Sequence, residues 1–372
     1  MVGGGEGAFI GAVHRIAARL DDNYELVAGA LAGDPDKAQR SGRARGLDPA
    51  RSYGDFMAMA KAEAARADGI EAVAIVTPNH LHAPVARAFM AHGVHIICDK
   101  PLTATLPDAL ALQKDVDKSG VIFALTHNYS AYPLIRQARA MVAAGEIGAV
   151  RVVQVEYPQD WLTGNLESTG QKQADWRTDP ARSGAGGCVG DIGTHAFQLA
   201  RFVTGVRVER LLAELSTFVP GRRLDDNAQV LLRFDGGARG ALWASQVAVG
   251  NDNALKLRVF GGNGGLEWRQ EEPNSLSFTR HGEPQQTIRR AGAGADAAGA
   301  RLNRIPAGHP EGYLEGFANL YSEAAAAILA RRSGAKPAPD VSFPGIADGV
   351  EGVRFVDAAV RSSSGGGVWV TL

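Results

Sequence analysis

The sequence predicts an α/β chain in two domains, a doubly wound parallel sheet followed by an open, mostly antiparallel sheet. A length of 372 residues exceeds one ordinary core and fits two domains. Short apolar segments alternate with helical ones over the first 125 residues, whereas strand-like segments follow one another after about residue 148. We therefore predict domains at residues 1–126 and 127–372.

The amino-acid composition excludes several classes of partner. Apolar residues make up 45% of the chain and charged residues 21%, which is typical of a soluble globular protein. A net charge of −1, without a run of Lys or Arg, argues against nucleic acid. No apolar segment reaches the about 18 residues of a membrane span, and the N-terminus lacks the pattern of an export signal. Two cysteines, Cys98 and Cys188, cannot form a disulfide framework, so we expect a cytoplasmic protein.

The N-terminal half has the pattern of a parallel sheet covered by helices on both faces. Its predicted strands are apolar throughout, as strands buried on both faces are. These strands are residues 24–31, 72–76, 95–98 and 121–125. The helices predicted between them are residues 34–46, 55–67, 84–92 and 106–119.

The C-terminal half is dominated by strands joined by tight turns. The predicted strands are residues 150–157, 210–218, 228–234, 238–247 and 255–260. Glycine-rich turns at 235–237 and 261–264 are typical of an antiparallel meander. A loop at 158–187 interrupts it, and helices are predicted again at 311–332 and 345–362 before a short closing strand.

The chain begins with a glycine-rich segment, MVGGGEGAFIG, that predicts a dinucleotide site. Gly3, Gly5 and Ala8 match the G-x-G-x-x-(G/A) fingerprint, and a helix follows from about residue 9. Such glycines let a pyrophosphate approach the backbone N–H groups at the helix start, so Phe9 and Ile10 are predicted contacts as well. The alternative is a flexible glycine-rich terminus.

The strand that should lead into this turn is nearly absent, because only Met1 and Val2 precede Gly3. That strand normally lies in the middle of the sheet, so its loss would leave the backbone groups of two neighbours unpaired. We therefore expect a truncated first strand in a chain whose numbering begins a few residues late.

The acid that usually holds the adenine ribose is missing from the end of the second predicted strand, which ends Leu31-Ala32-Gly33. Asp34 follows, but it precedes Pro35 and is predicted to cap the next helix. Without that carboxylate, there is less negative charge to repel a 2′-phosphate. The basic residues Lys37 and Arg40 lie nearby in the sequence. The cofactor is therefore predicted to be NADP or NAD, with NADP favoured.

Two further segments carry candidate catalytic residues. Lys100 follows the strand HIIC, at the edge of a parallel sheet where ligands bind, and a partly buried Lys can polarise a hydroxyl. Asp191 and His195 are four residues apart, so one face of a helix presents both, and a His suits proton transfer near pH 7. The alternatives are a solvated strand-end lysine and a capping or surface Asp/His pair.

Several motifs occur in one order along nearly the whole chain. They are GGGEGAFIGAVHR, TPNHLH at 77–82, CDKP at 98–101, HNYSAYP at 127–133, WRTDPARSGAGGCVGDIGTH ending at His195, and the C-terminal FVDAAVRSSSGGGVWVTL. In these motifs the chain resembles the glucose–fructose oxidoreductase / inositol dehydrogenase / MocA family. The resemblance implies a Rossmann domain plus an open sheet whose outer face often forms dimers or tetramers.

The resemblance also implies roles for individual residues. Lys100 corresponds to a lysine that contacts substrate and nicotinamide, His195 to the usual catalytic histidine, and Asp191 to the carboxylate of the same element. The positions that line the cofactor in the family correspond to Thr77, Pro78, Asn79, His82, Asp99, Asn128, Trp176 and Arg177. Asp99 replaces the commoner Glu, Tyr129-Ser130 stands where an arginine is common, and Gln198 stands where an acid or Asn often follows the histidine.

Other marked residues have ordinary explanations. His80, His82, His95 and His127 lack a Cys or carboxylate at ligand spacing, so we expect no metal. Cys98 ends an apolar strand and is predicted to be a core residue rather than a nucleophile. Trp161 lies in the loop after the first meander strand, where it walls a sugar pocket or packs within the loop.

The sequence therefore predicts reversible oxidation of a secondary alcohol on a sugar, cyclitol or polyol, with hydride passing to the nicotinamide. His195 takes the hydroxyl proton and Lys100 polarises the oxygen. One alternative is a sugar-active enzyme that retains its cofactor in a hidden redox cycle, either a glycosidase or a sugar–sugar oxidoreductase. The other is a non-catalytic dinucleotide-binding regulator. We expect a homodimer or homotetramer.

Overall fold

The computed structural model describes all residues from Met1 to Leu372 and divides into two compact units. The first unit contains residues 1–128 and 314–350, and the second contains residues 129–313 and 351–372. The sequence predicted one continuous segment for each domain, so the assignment of residues 314–350 to the first unit was not anticipated. No helix is both long and apolar enough to cross a lipid bilayer.

The first 128 residues alternate strands and helices. The strands are β1 (Val2–Gly3), β2 (Ala72–Val76), β3 (His95–Cys98) and β4 (Phe123–Leu125). The helices are α1 (Phe9–Leu20), α2 (Pro35–Arg43), α3 (Phe56–Ala64), α4 (His82–Met90) and α5 (Leu106–Ser119). All four strands pair in parallel in the order β1-β2-β3-β4, which confirms the predicted Rossmann-type sheet.

The first strand is short, but its backbone pairs with a neighbouring segment on each side. Val2 and Gly3 lie opposite Ile75 and Val76 of β2, and Val2 also forms a bridge with Ala30 on its other side. The Met1 amino group donates to the Ala28 carbonyl at 2.9 Å, and burial lowers its pKa to about 5. The expected gap in the sheet is therefore not seen.

The second predicted strand, residues 24–31, was wrong in its extent. Residues of this segment pair only through single bridges, Ala30 with Val2 and Gly29 with Ser52. Strand β1 has only two residues, so this segment has too few partners to form a longer ladder with it. The cap predicted at Asp34 is confirmed, since its carboxylate accepts from the Lys37 N–H at 2.6 Å.

The remaining residues contain nine strands and seven helices. The strands are β5 (Val150–Pro158), β6 (Val208–Ser216), β7 (Asn227–Phe234), β8 (Arg239–Ser245), β9 (Lys256–Gly261), β10 (Gly264–Arg269), β11 (Ser275–Arg280), β12 (Gln286–Arg289) and β13 (Val370–Thr371). The helices are α6 (Pro133–Ala143), α7 (Lys172–Arg177), α8 (Pro180–Ser183), α9 (Thr194–Thr204), α10 (Ala297–Ala300), α11 (Tyr313–Arg332) and α12 (Ile346–Ser364).

These nine strands form one open sheet in the order β12-β11-β10-β9-β5-β8-β7-β6-β13. The pairing is antiparallel except between β5 and β8, which are parallel, so the predicted meander consists of two antiparallel runs joined through β5. The sequence did not predict β10, β11 or β12, and it predicted a plain loop where α7 and α8 lie.

One face of this sheet carries the core of the second unit. Alternate residues such as Val153, Val155 and Leu242 are buried there together with the apolar sides of α6 and α9. On the opposite face, Val152, Leu231 and Phe260 are between 39% and 50% exposed. The homodimer or homotetramer implied by the resemblance would use this face, and it stays a prediction.

Helix α9 is fixed to α12 by an aromatic pair. The rings of Phe197 and Phe355 are stacked with centroids 4.3 Å apart, and Phe355 is fully buried. We expect Phe355→Ala to lower the free energy of unfolding by about 3–5 kcal/mol, because it removes a buried ring and leaves a cavity. Urea denaturation followed by circular dichroism measures the loss.

Arg361→Ala is the control on the same helix. Arg361 is 56% exposed and pairs with Asp357 on the surface, so its removal should cost about 0.5 kcal/mol or less. Equal destabilisation by the two variants would contradict the packing role assigned to Phe355.

Candidate active site

The glycine-rich turn after β1 leaves no room for a side chain at Gly3, Gly4 or Gly5. Gly3 and Gly4 have φ of +78° and +72°, and a Cβ on Gly5 would lie 2.4 Å from the Leu31 carbonyl oxygen. Helix α1 follows, and no side chain caps its first turn. Backbone N–H groups at the start of a helix bind anions, so this turn can hold the pyrophosphate of a dinucleotide.

The side chains at the start of α1 are placed differently from one another. Phe9 is 64% exposed, whereas Ile10 packs against the buried cluster of Met1, Leu31 and Val76. The side chain of Ile10 therefore belongs to the core. Only the backbone of Ile10 is left for the predicted contact with a dinucleotide.

Among the buried polar atoms of the first unit that lack a hydrogen-bond partner in the protein, two belong to residues that follow parallel strands. They are the Thr77 hydroxyl oxygen, just after β2, and the Asn128 side-chain nitrogen, after β4. Buried polar groups are normally paired, so each is suited to a ligand. Both lie at carboxyl ends of parallel strands, where ligands of this fold bind, and both were predicted from the sequence. These residues fit a dinucleotide.

The His82 side chain contacts the backbone of two segments that follow strands of the first unit. Its Nδ1 lies 2.8 Å from the Pro101 carbonyl and its Nε2 lies 2.9 Å from the Thr77 carbonyl. Burial lowers the pKa of His82, and the charge of Asp99 opposes that effect. His82 thus links the segment after β2 to the segment after β3, while Pro78 and the buried Asn79 lie in the same loop.

Lys100 follows β3, and the residue before it is an ionised carboxylate. Asp99 Oδ1 accepts from the Lys100 backbone N–H at 3.0 Å and from the Thr126 hydroxyl at 2.9 Å. Burial alone would raise the pKa of Asp99, but His14, Lys100 and His82 lower it to about 2. The negative charge at Asp99 is therefore present at neutral pH beside the half-buried Lys100.

In the second unit, a single π-helical turn at Val189–Gly193 leads into α9. The regular helix predicted for Asp191 and His195 is therefore corrected. The entry is held by the buried Asp225, which accepts from the Gly187 N–H at 2.5 Å and the Val189 N–H at 2.8 Å. Such turns have more residues per turn than an α-helix, and they occur often at functional sites.

Asp191 is held by two partners. Gln246 Nε2 donates to Asp191 Oδ2 at 2.9 Å, and Arg177 Nε lies 3.3 Å from the same oxygen. The Arg177 guanidinium stacks over the Trp176 ring at 4.3 Å. The structure thus brings three predicted residues of the second unit together, and it adds Gln246.

His195 lies against two tyrosines and is only 7% exposed. Its ring centroid is 4.9 Å from that of Tyr129 and 6.2 Å from that of Tyr157. The two phenol oxygens are 2.6 Å apart, and the Tyr157 hydroxyl donates to Asn253 Oδ1 at 2.7 Å. Sequence reasoning did not select these neighbours. The HNYSAYP motif drew attention to Tyr129, but only as a departure from the family pattern.

The tyrosine pair continues toward Trp161. Gln159 Nε2 donates to Asn253 Oδ1 at 2.7 Å, and Trp161 Nε1 donates to Gln159 Oε1 at 3.1 Å. Of the two possibilities for Trp161, these contacts show attachment to the polar chain beside His195.

The cysteines and the possible metal ligands bear on two further kinds of site, a thiolate nucleophile and a metal site. Burial raises the pKa of both the Cys98 and the Cys188 thiols well above the usual value, so neither is a thiolate at neutral pH. No group of three or more His, Cys, Asp or Glu side chains is arranged to hold a metal ion.

Family models match both halves of the chain. Residues 1–127 match an oxidoreductase family with an NAD-binding Rossmann fold, and residues 135–267 match the GFO/IDH/MocA C-terminal domain. The uncharacterized oxidoreductase YfiI of Bacillus subtilis (strain 168) is 35% identical over 377 residues, covering 100% of this chain and 95% of YfiI. The chain belongs to the GFO/IDH/MocA family.

Solved structures of this family are similar over the full length. An oxidoreductase from Sinorhizobium meliloti is 58% identical, with a TM-score of 0.91 over 100% of this chain and 98% of that one. An inositol dehydrogenase homolog from Azotobacter vinelandii, complexed with NADH and myo-inositol, is 38% identical, with a TM-score of 0.93 over 100% and 96%. As a GFO/IDH/MocA protein, the chain is an NAD(P)-dependent dehydrogenase.

The close approach at Gly5 gives a test of dinucleotide binding by this family member. We expect Gly5→Ala to raise the Kd for NAD and NADP about tenfold or more, because the added Cβ would lie 2.4 Å from the Leu31 oxygen and displace the turn. Isothermal titration calorimetry with each dinucleotide measures the change.

Gly164→Ala is the matched control, since a Cβ there meets no atom within 4 Å and the backbone needs no positive φ. A Gly5→Ala protein that binds both dinucleotides as tightly as the Gly164→Ala protein would show that the turn is not the binding site.

Proposed function

We propose that the chain catalyses reversible oxidation of a secondary hydroxyl of a cyclitol or sugar. The observation that carries the proposal is a tight glycine turn before a helix in the same chain as a lysine beside an ionised carboxylate and a histidine four residues after a tethered aspartate. Support comes from the inositol dehydrogenase homolog of Azotobacter vinelandii that binds NADH and myo-inositol. A levoglucosan dehydrogenase in complex with NADH and levoglucosan is 26% identical over the whole chain.

The proposed mechanism assigns one role to each ionisable side chain. Lys100 polarises the substrate oxygen through its ammonium group, and His195 accepts the hydroxyl proton as the carbonyl forms. Asp191 orients either the substrate or the histidine, and its own position is set by Gln246 and Arg177. A dinucleotide held by the glycine-rich turn would supply the hydride acceptor for the alcohol carbon.

The residues proposed to hold the dinucleotide belong to several short segments. Gly3 to Ile10 supply backbone at the turn, and Thr77, Asn79 and Asn128 supply polar side chains. Two of these side chains carry the unpaired buried atoms, which supports a ligand at this place. Trp176 and Arg177 are proposed to complete the cofactor contacts from the second unit.

The proposed catalytic roles predict that loss of either side chain lowers turnover but not dinucleotide binding. We expect Lys100→Ala and His195→Ala each to lower kcat by about two orders of magnitude or more, because each removes a group acting on the reacting hydroxyl. Both variants should still bind NAD. Absorbance at 340 nm with a panel of sugars and polyols, myo-inositol first, measures turnover.

Lys114→Ala and His281→Ala, which alter exposed residues elsewhere, are the controls and should leave turnover unchanged. Full turnover in both the Lys100→Ala and the His195→Ala proteins would remove the mechanism. Reduction of bound cofactor in a single burst without net release would favour the hidden redox cycle instead.

We propose further that the enzyme accepts NADP as well as NAD. The segment at Leu31-Ala32-Gly33 supplies no carboxylate to repel a 2′-phosphate, and Asp34 is already engaged as the cap of α2. Lys37 and Arg40 lie on the same helix and supply positive charge. The relatives that bind NAD or NADH show that the fold accepts NAD, and the local charge supports NADP here.

Installing a carboxylate tests this assignment. We expect Ala32→Asp to weaken NADP binding about tenfold or more relative to NAD, because the new charge repels a 2′-phosphate and hydrogen-bonds a free ribose. Titration calorimetry with both dinucleotides measures the ratio of the two Kd values.

Ala32→Asn is the isosteric control, which has the same size without the charge. If Ala32→Asp and Ala32→Asn change the ratio equally, then charge at this position does not select the cofactor.

A further inference from the structure

Three polar side chains of the first unit, Tyr321, His14 and Asp99, lie in a row that ends next to Lys100 in the sequence. The Tyr321 hydroxyl is 2.8 Å from His14 Nδ1, and His14 Nε2 is 3.9 Å from Asp99 Oδ1. His14 is fully buried in α1, and Tyr321 is 2% exposed in α11. The row thus connects three elements that are distant in sequence and ends at the carboxylate before Lys100.

The contacts of His14 determine where its proton lies. Burial raises the pKa of Tyr321 well above its usual value, so the phenol stays protonated and can donate to His14 Nδ1. A neutral imidazole that accepts at Nδ1 carries its proton on Nε2. That N–H then faces the negative Asp99. The opposite tautomer would place a lone pair against the carboxylate.

Asp99 in turn holds the backbone from which Lys100 projects. Its Oδ1 accepts the Lys100 N–H and the Thr126 hydroxyl, so one oxygen fixes the second residue after β3 and the first residue after β4. The titratable groups that interact with Asp99 are Lys100, His14, His82, His127, Cys98 and Tyr321, and of these Cys98 and Tyr321 are held neutral by burial. The other ring nitrogen of His14 lies against the hydroxyl of Tyr321.

We propose that His14 and Tyr321 are positioning residues for Lys100, acting through Asp99. Tyr321 fixes the tautomer of His14, His14 directs its N–H at Asp99, and Asp99 holds the lysine backbone. This inference rests on the proposed catalytic role of Lys100. Neither residue touches the substrate, so their loss should lower kcat more than it changes KM or dinucleotide affinity.

The test uses Tyr321→Phe in the full chain, with Tyr24→Phe as a matched control. Both remove one phenol oxygen from the same cluster, where the two rings are 5.3 Å apart, but Tyr24 donates to the Tyr321 backbone carbonyl and not to His14. Nitrogen-15 NMR of histidine-labelled protein, with NAD bound, distinguishes the protonated ring nitrogen. A His14→Phe sample identifies the His14 resonances.

We expect Nε2 of His14 to carry the proton in the native and Tyr24→Phe proteins, and the proton to redistribute between the nitrogens in Tyr321→Phe. With NAD and myo-inositol, Tyr321→Phe should lower kcat about tenfold, the scale of one buried hydrogen bond, with KM nearly unchanged. In an Asp99→Asn background the same substitution should have no further effect. His14→Gln, which retains an N–H donor, should lose less activity than His14→Phe.

The NMR and kinetic results separate two kinds of failure. An unchanged His14 tautomer in Tyr321→Phe, or equal kcat in Tyr321→Phe and Tyr24→Phe, overturns the inference while the proposed dehydrogenase function stands. Absence of turnover with every polyol in the native protein overturns the proposed function, and the NMR result still decides whether Tyr321 sets the state of His14.

Discussion

A carboxylate taken out of water needs hydrogen bonds and nearby positive charge, because desolvation alone favours its neutral form. The end of β3 is built around this requirement at Asp99, whose side chain is 14% exposed. Backbone, hydroxyl, imidazole and ammonium groups surround it, and its pKa falls to about 2 as a result. The ends of β3 and β4 and one face of α1 must therefore be in place together.

This requirement gives a physical reason for the discontinuous first unit. The Asp99 neighbourhood is completed on one side by His14, and His14 in turn contacts Phe317 and Tyr321 of α11, with ring centroids 5.1 and 5.8 Å away. Residues 314–350 thus supply part of the surroundings of the strand end. A Rossmann unit cut at residue 128 would leave His14 without its aromatic cover and its hydroxyl partner.

The second unit also contains a buried carboxylate that accepts backbone hydrogen bonds. Asp225 is buried, which raises its pKa, and it accepts from the backbone N–H groups of Gly187 and Val189. These bonds fix the glycine-rich entry to the π-helical turn, which carries Asp191, and to α9, which carries His195. Asp99 thus binds the backbone of Lys100 directly, whereas Asp225 binds the backbone of the segment that leads to Asp191 and His195.

The parts of the fold predicted from sequence were those with strong local patterns. The strands β2 and β3 are continuous apolar runs, and α5 begins at a Thr-x-x-Asp cap and ends at a glycine, so their bounds were predicted correctly. The segment at 24–31 is equally apolar, but its extent depends on β1, which is only two residues long. The caps at Gln171 and Asp179 marked α7 and α8, and they were overlooked.

For the site, sequence reasoning selected Lys100, Asp191 and His195 because their motifs are local. Gln246 lies 55 residues from Asp191, and Asn253 lies 96 residues from Tyr157, so no spacing in the sequence marks either contact. The π-helical turn was missed for another reason. An i, i+4 pair has the same spacing in the sequence whether the turn is α or π, so the spacing of Asp191 and His195 does not distinguish the two.

The tyrosines beside His195 constrain which group accepts the proton in the proposed reaction. A phenol close to a reacting hydroxyl can serve as the base only if its pKa approaches neutrality. Burial raises the pKa of Tyr129, and it raises that of Tyr157 well above the usual value, while each hydroxyl is engaged with the other. Both therefore stay protonated. An imidazole is the side chain whose ordinary titration lies near neutral pH, which supports the proposal that His195, rather than either tyrosine, accepts the proton.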